Sequence, residues 1–400
     1  MPMRFLDEMD VRGKRLLMRV DYNVPMQDGV ITDDTRIRAG LPTLELALAK
    51  GASVVVCSHL GKPKGVRDPK FSLSAAAKRL GELLGRPVGF ASDCVGQDAQ
   101  RMAEALKPGD VLVLENLRFH AGEEKGDMEF AAALAKMGQV YVNDAFGTAH
   151  RAHASVSGLP GLMEACCGGL LLKKEWQFLG EALEAPERPF VAITGGAKVS
   201  SKLGVLKHLL GKVDALIIGG AMANTFLKAK GLSVGKSLVE DGLLEEAANI
   251  MKLADQKKAL LALPGDFVVS RDADKPLAEM TASGICAGDA FPDDGMALDI
   301  GPASLEAFAK VLAGAKTVVW NGPMGAFENA AFAGGTMGMA KVVAGLKAMT
   351  VIGGGDTIAA VRASGLADKM TFISTGGGAS LEFMEGRELP AFKALRECGK

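Results

Sequence analysis

Glycines fall at the ends of short apolar runs along most of this chain, and that punctuation limits the folds open to it. Near the C-terminal end, Val351-Ile352 leads into Gly353-Gly354-Gly355-Asp356-Thr357, and Phe372-Ile373-Ser374-Thr375 leads into Gly376-Gly377-Gly378-Ala379-Ser380. Each pair reads as strand, tight turn and helix start. Runs at 15–20, 53–58, 111–114 and 140–142 read as strands, with helical patterns at 37–50, 74–84 and 129–137 between them. That alternation predicts a parallel sheet with helices on both faces. Residues 160–169 read as a glycine-rich loop. Leu171, Leu172, Trp176, Leu179 and Leu183 then follow near-helical spacing, before Pro186 and Pro189 break the chain. This helix reads as a connector. The rhythm restarts with strands at 190–193, 215–218, 259–263, 317–320, 349–352 and 370–374, and 265–290 has room for an antiparallel piece. The expected fold is α/β, with two doubly wound, Rossmann-like parallel-sheet domains joined by the helix. Ligands in such folds sit at the carboxyl ends of the strands.

Composition bounds the function classes. A length of 400 residues suggests about two or three domains, each with its own core. The net charge of −1 argues against a generic polyanion binder, so nucleic acid is not an expected partner and an anion site must be a local cluster. Glycine supplies 50 of the 400 residues without a collagen-like period, which assigns it to turns. Cys57, Cys94, Cys166, Cys167, Cys286 and Cys398 form no CxxC pair and read as mostly buried thiols in a reducing compartment. The N-terminus has no apolar leader pattern and no run reaches membrane-spanning length, so a cytoplasmic protein without membrane association is expected.

Strand ends in the first half carry Asp21, Asn23, His59, Lys62, Glu115, Asn116, Arg118, Asn143 and Asp144, with Arg36 and His150-Arg151-Ala152-His153 shortly after. Arg36, Lys62, Arg118 and Arg151 come from different segments near one sheet edge, which suits a small, highly anionic ligand; arginine offers planar, bidentate recognition. His120 and His208 read as structural. In the second half, Thr194-Gly195-Gly196-Ala197-Lys198-Val199-Ser200-Ser201-Lys202 reads as a strand end opening a helix, with Lys198 and Lys202 on one face. A bound anion would offset the cost of two lysines at a helix start. Gly219-Gly220 and Asn321-Gly322-Pro323 are further strand-end turns, and Glu328 could accept from ribose hydroxyls. Asp356 and Thr357 offer oxygen ligands suited to a Mg²⁺–phosphate complex. Residues 231–237 resemble a Walker A loop but lack its first glycine, since Lys230 stands there. No dinucleotide fingerprint follows the first strand of either half, which argues against a nicotinamide-dependent dehydrogenase.

Taken together these blocks resemble the phosphoglycerate kinase family. The matching segments are Arg19-Val20-Asp21-Tyr22-Asn23-Val24-Pro25, Asp33-Asp34-Thr35-Arg36-Ile37, Ser58-His59-Leu60-Gly61, Glu115-Asn116-Leu117-Arg118-Phe119, Asn143-Asp144-Ala145-Phe146, Ala149-His150-Arg151-Ala152-His153, Gly195-Gly196-Ala197-Lys198-Val199, Asn321-Gly322-Pro323 with Glu328, and the two triple-glycine turns. The resemblance implies reversible, Mg²⁺-dependent phosphoryl transfer between ATP and the carboxylate of 3-phosphoglycerate, giving ADP and 1,3-bisphosphoglycerate. It implies a phosphoglycerate domain at 1–169, with 387–400 packing back on it, a connector at 170–185 and a nucleotide domain at 186–386. Asp21, Asn23, Arg36, His59, Lys62, Arg118 and Arg151 would hold the acid. Lys202, Glu328, Gly354, Gly355, Asp356 and Thr357 would hold the nucleotide, with Asp356 on the metal. Arg36, Lys198, Lys202, Gly355 and Gly378 would act on the phosphoryl in transfer. The partners would be small molecules, with a monomer expected and closure of the domains around them. A catalytically dead relative acting as a binding module is the alternative, and the retained Arg36, Lys198, Lys202 and Asp356 argue against it. One departure stands out: the family's His-Leu-Gly-Arg-Pro reads His59-Leu60-Gly61-Lys62-Pro63 here, so charge is kept and the bidentate fork is lost.

Overall fold

The computed structural model describes residues 3–399. Met1, Pro2 and Lys400, which the sequence reading included at its two ends, lie outside the described residues. Chain contacts divide the molecule into two units, Met1–Gln177 with Glu388–Lys400, and Phe178–Arg387.

The first unit contains strands β1 (Arg15–Val20), β2 (Met26–Gln27), β3 (Val30–Ile31), β4 (Ser53–Cys57), β5 (Gly89–Phe90), β6 (Val111–Val113), β7 (Val140–Asp144) and β8 (Cys166–Gly168). Helices α1 (Thr35–Ala49), α2 (Ser74–Leu84), α3 (Gln97–Glu104), α4 (Ala121–Lys125) and α5 (Met128–Ala135) alternate with them. Six strands form a parallel sheet in the order β5-β6-β4-β1-β7-β8. Its strands are almost continuously apolar because helices cover both faces. Leu16, Met18, Val54, Val56, Val113 and Val142 pack with Ile37, Leu44 and Leu80 from α1 and α2. β1 is paired with β4 on one side and β7 on the other. The connections reverse direction there, leaving a crevice beyond the carboxyl ends of β1 and β7.

α6 (Leu170–Glu184) contains the boundary between the units. The second unit contains β9 (Phe190–Thr194), β10 (Ala215–Ile218), β11 (Leu260–Ala262), β12 (Asp266–Ser270), β13 (Gly284–Ala287), β14 (Met296–Ile300), β15 (Thr317–Asn321), β16 (Met349–Gly353) and β17 (Phe372–Ile373). Its helices are α7 (Leu203–Leu210), α8 (Met222–Ala229), α9 (Leu244–Lys257), α10 (Pro302–Leu312), α11 (Gly334–Ala344), α12 (Gly355–Ala363) and α13 (Gly378–Met384). The parallel sheet runs β11-β10-β9-β15-β16-β17, and its order reverses between β9 and β15. Val191, Ile193, Val318, Trp320 and Ile352 pack with Phe308, Leu312 and Met339 of α10 and α11. β13-β12-β14 form a separate antiparallel sheet with its own small core of Phe267, Val269, Phe291 and Ala297. This is the antiparallel piece expected at 265–290, extended by a third strand.

α14 (Pro390–Glu397) belongs to the first unit. Its Phe392 stacks on Phe146 and meets Trp176 edge-on, with centroids 6.0 and 5.0 Å apart.

Several local expectations need correction. The presumed loop at 160–169 contains β8, whose Cys-Cys-Gly run is too short to show a period but is fully buried beside β7. β5 and α3 were not anticipated, because two residues give no alternation and α3 is mostly polar. α7 starts at Leu203, so Lys198 and Lys202 do not share a helical face. Lys202 is its N-cap and Lys198 lies in the preceding turn, while Val199 is buried outside the helix. Cys166 and Cys398 are joined in a disulfide across 232 residues, whereas Cys57, Cys94 and Cys167 are buried thiols as expected and Cys286 is half-buried. That pairing depends on the return of α14 to β8, which no local pattern reveals.

Candidate active site

The crevice in the first unit gathers side chains from four strand ends. Asp21 Oδ2 accepts from Arg36 Nη1 at 2.9 Å, and 40% of the Arg36 side chain remains exposed. Asn23 Oδ1 accepts the Gly61 N–H at 2.8 Å, while Arg118 Nη1 donates to the Gly61 carbonyl at 2.8 Å. Both backbone polar groups of Gly61 are thereby held. Arg118 is buried and its Nε makes no hydrogen bond, although Glu124 Oε1 stands 3.4 Å away. Burial lowers the Arg118 pKa, yet a guanidinium stays charged. Lys62 and Arg151 are exposed.

His59 is buried beside Arg19, whose Nη2 lies 3.2 Å from His59 Nδ1. Burial, then the charges of Arg19, Arg118 and Arg36 and nearby His153, push the His59 pKa well below its usual value. An arginine can only donate, so His59 Nδ1 accepts and the neutral ring carries its proton on Nε2. Arg19 Nε also donates to Ser155 Oγ at 3.0 Å, and Ser155 Oγ donates to the fully buried Glu123 at 2.6 Å. Glu123, Ser155 and Arg19 therefore orient His59 from inside the unit. Sequence reasoning did not assign them. The available signal was a charged residue inside the apolar β1.

The second unit builds its cluster mostly from backbone. After β9, the Gly195 N–H donates to Asn321 O and the Gly196 N–H to Pro323 O, each at 3.0 Å. The Gly220 N–H donates to Met324 O at 2.9 Å. A Cβ on Gly195 would overlap the Pro323 carbonyl oxygen, and one on Gly322 would overlap the Gly195 carbonyl oxygen. Gly322 also has φ +102°, a region closed to most side chains. Lys202 Nζ bridges these turns, donating to the Asn321 carbonyl at 2.9 Å and also to Asn321 Oδ1. Burial, opposed by the charge of Asp356, lowers its pKa to about 8.

Beside Lys202 lies a cavity of about 210 Å³. Phe267, Leu298 and Met324 give it apolar walls, and Asp299, Glu328 and Asp356 give it carboxylates. Asp299 was not anticipated from sequence. It accepts N–H groups of Gly335 at 2.6 Å and Ile300 at 2.9 Å, and burial lifts its pKa to about 7. A lone Asp before Gly301-Pro302 at the end of β14 was the legible hint. Gly355 and Asp356 occupy the first turn of α12, where N–H groups lack intrahelical partners. Thr357 is buried, and its Oγ1 accepts the Gly322 N–H at 2.6 Å, tying β15 to α12 instead of facing the cavity. Gly378 opens α13 and is exposed. Gly353 sits against Ser380 and Met384 of α13, which brings the two triple-glycine turns side by side.

The sequence model of the family described as phosphoglycerate kinase matches residues 6–387. The chain belongs to that family. A phosphoglycerate kinase of Maridesulfovibrio salexigens is 56% identical over 402 residues, covering 99% of this chain and 100% of the relative. One from Desulfosudis oleivorans is 55% identical, covering 98% of each chain. Among solved structures, phosphoglycerate kinase from Coxiella burnetii superposes with a TM-score of 0.92 at 41% identity, covering both chains completely. The enzyme from Pyrococcus horikoshii superposes at 0.83 with 34% identity and 99% coverage of each chain.

The family's Mg²⁺ fits the donors in the second unit. Asp356 is an exposed carboxylate at the rim of the cavity, and magnesium takes one or two carboxylates together with substrate phosphates and water.

Proposed function

We infer that this chain transfers a phosphoryl group reversibly between ATP and the carboxylate of 3-phosphoglycerate, with Mg²⁺. The observation that supports a two-part reading is that the order-reversal point of each sheet carries a cluster of donors suited to an anion. One is rich in guanidinium groups, and the other is a glycine cradle around a lysine. The acid substrate is assigned to the first unit and the nucleotide to the second. The apolar walls suit a base, and Glu328 accepts from the ribose hydroxyls.

The acceptor is already a carboxylate, so the reaction needs alignment and charge neutralisation more than a strong base. Arg36 is held by Asp21 with part of its fork exposed, and it aligns the carboxylate and meets the phosphoryl in transfer. Neutral His59 donates from Nε2, and Arg118, Lys62 and Arg151 neutralise the rest of the acid. Lys202, Lys198 and the N–H groups at Gly355 and Gly378 contact phosphate oxygens. Mg²⁺, held by Asp356, neutralises charge on the nucleotide phosphates when bound. The two units must close on each other to exclude water as a competing acceptor. We further propose that the protein acts as a cytoplasmic monomer.

A coupled assay with ADP, Mg²⁺ and 1,3-bisphosphoglycerate tests this reading. ATP formation supports it, and no turnover with a folded, nucleotide-binding protein would overturn it.

A further inference from the structure

Three side chains of the first unit that the transfer does not use converge in space. Asp93 and Cys94 lie between β5 and α3, and His120 precedes α4. A carboxylate oxygen, the thiol sulfur and an imidazole nitrogen lie within 4.8 Å of one another. His120 Nε2 stands 2.7 Å from Asp93 Oδ1, and the same oxygen accepts the Cys94 N–H at 2.7 Å. The His120 ring stacks on Phe130 with centroids 5.2 Å apart, which orients its nitrogen toward Asp93. Cys94 is fully buried. Cys94 is a free thiol outside the disulfide, enclosed with the Asp93 carboxylate and the His120 imidazole as its near side-chain neighbours.

Sulfur, imidazole nitrogen and carboxylate oxygen are the donors that zinc-class cations take, with bonds of about 2.0–2.3 Å. A tetrahedral shell of those lengths spaces its ligand atoms about 3.5 Å apart, inside the range found between these three groups. Magnesium prefers an all-oxygen octahedron, so this donor set discriminates against the reaction's own metal. The thiolate and the carboxylate carry two negative charges. The Arg67 guanidinium, bonded to the Ser92 carbonyl, offsets part of that charge. Asp93 and His120 are both partly exposed, which leaves a path for the ion and a place for a water.

We propose that Asp93, Cys94 and His120 form a binding site for a borderline-soft divalent cation of the zinc class, with water as the fourth ligand. Binding ties the segment after β5 to the turn after β6 and releases the thiol proton to solvent. The test is a titration of the full-length, chelator-treated protein with Co²⁺, followed by Zn²⁺. A thiolate-to-cobalt charge-transfer absorption should saturate at one equivalent and disappear when Zn²⁺ displaces the cobalt. The absorption should be lost in Cys94→Ser and retained in Cys286→Ser, whose thiol is the more exposed one. His120→Gln, a change at a partly exposed position, should weaken cobalt binding at least tenfold, and it decides the matter even where Cys94→Ser fails to fold. Zn²⁺ should raise the Tm of the unmodified protein and leave that of His120→Gln unchanged. No charge-transfer absorption, or an absorption of full strength in His120→Gln, would overturn the proposal.

Discussion

The two units share a parallel-sheet plan and build their strand-end clusters differently. The first uses side chains: Arg36, neutral His59 and Arg118 are held by Asp21, Arg19 and the Gly61 turn, and the guanidinium charges sit in or near a buried network. The second uses main chain: three glycine turns interlock beside β9 and β15, and Lys202 is the cation bonded across them. A compact, highly charged acid needs directional donors with fixed geometry. A nucleotide needs space for a base and sugar, and a run of N–H groups for phosphates. The two clusters should therefore fail differently when perturbed.

Arg36→Ala should show the largest effect, about 3 kcal/mol of lost transition-state stabilisation, or roughly a hundredfold or more in kcat/KM. Steady-state kinetics in both directions checks this, and near-unchanged turnover would remove Arg36 from the reaction. In the second unit the sensitive atom is a hydrogen. Gly322→Ala must place a Cβ against the Gly195 carbonyl at φ +102°, and should cost about 2 kcal/mol of stability. Thermal unfolding should report it, together with a raised KM for nucleotide. A raised KM for the acid alone would contradict the assignment of the two clusters.

The clusters should also separate by pH. Lys202 has its pKa lowered to about 8, so the free protein loses this cation as pH rises through that value. The kcat/KM for nucleotide should fall above about pH 8, approaching tenfold per unit. Lys202→Arg should remove the fall, because a guanidinium stays charged. For stability the sign is opposite. The unfolded lysine still holds its proton between the folded pKa and its ordinary value, so stability rises with pH across that window. An unchanged profile in Lys202→Arg would assign the fall to another group. The smallest effect is expected at Lys62, which is exposed. Lys62→Arg restores a bidentate fork and should lower the KM for 3-phosphoglycerate by about twofold to fivefold. An increase in that KM would show that lysine is the better fit here.

Much of the site was legible because strand ends mark themselves with glycine, and polar residues just beyond an apolar run have few other reasons to be there. Asp21, Asn23, His59, Arg118, Gly354 and Asp356 all follow that rule. Arg19, Glu123, Ser155 and Asp299 did not yield to it. Their roles depend on buried partners between 32 and 136 residues away. Thr357 reads as a ligand in sequence, and its bond to Gly322 across 35 residues was not legible there. Lys202 reads in sequence as part of a helix that in the structure begins one residue later.

By itself, the sequence determined the alternating architecture, the family and most of the residues at the strand ends. These follow from local periodicity and from glycine's freedom to turn, both of which act over a few residues. Only the tertiary structure decided which strands lie side by side, and therefore where each sheet reverses and which turns interlock. It also brought Cys398 to Cys166 and His120 to Asp93 and Cys94. Such pairings depend on cores closing over long stretches of chain, and burial, which sets the protonation of His59, Lys202 and Asp299, exists only once they have closed.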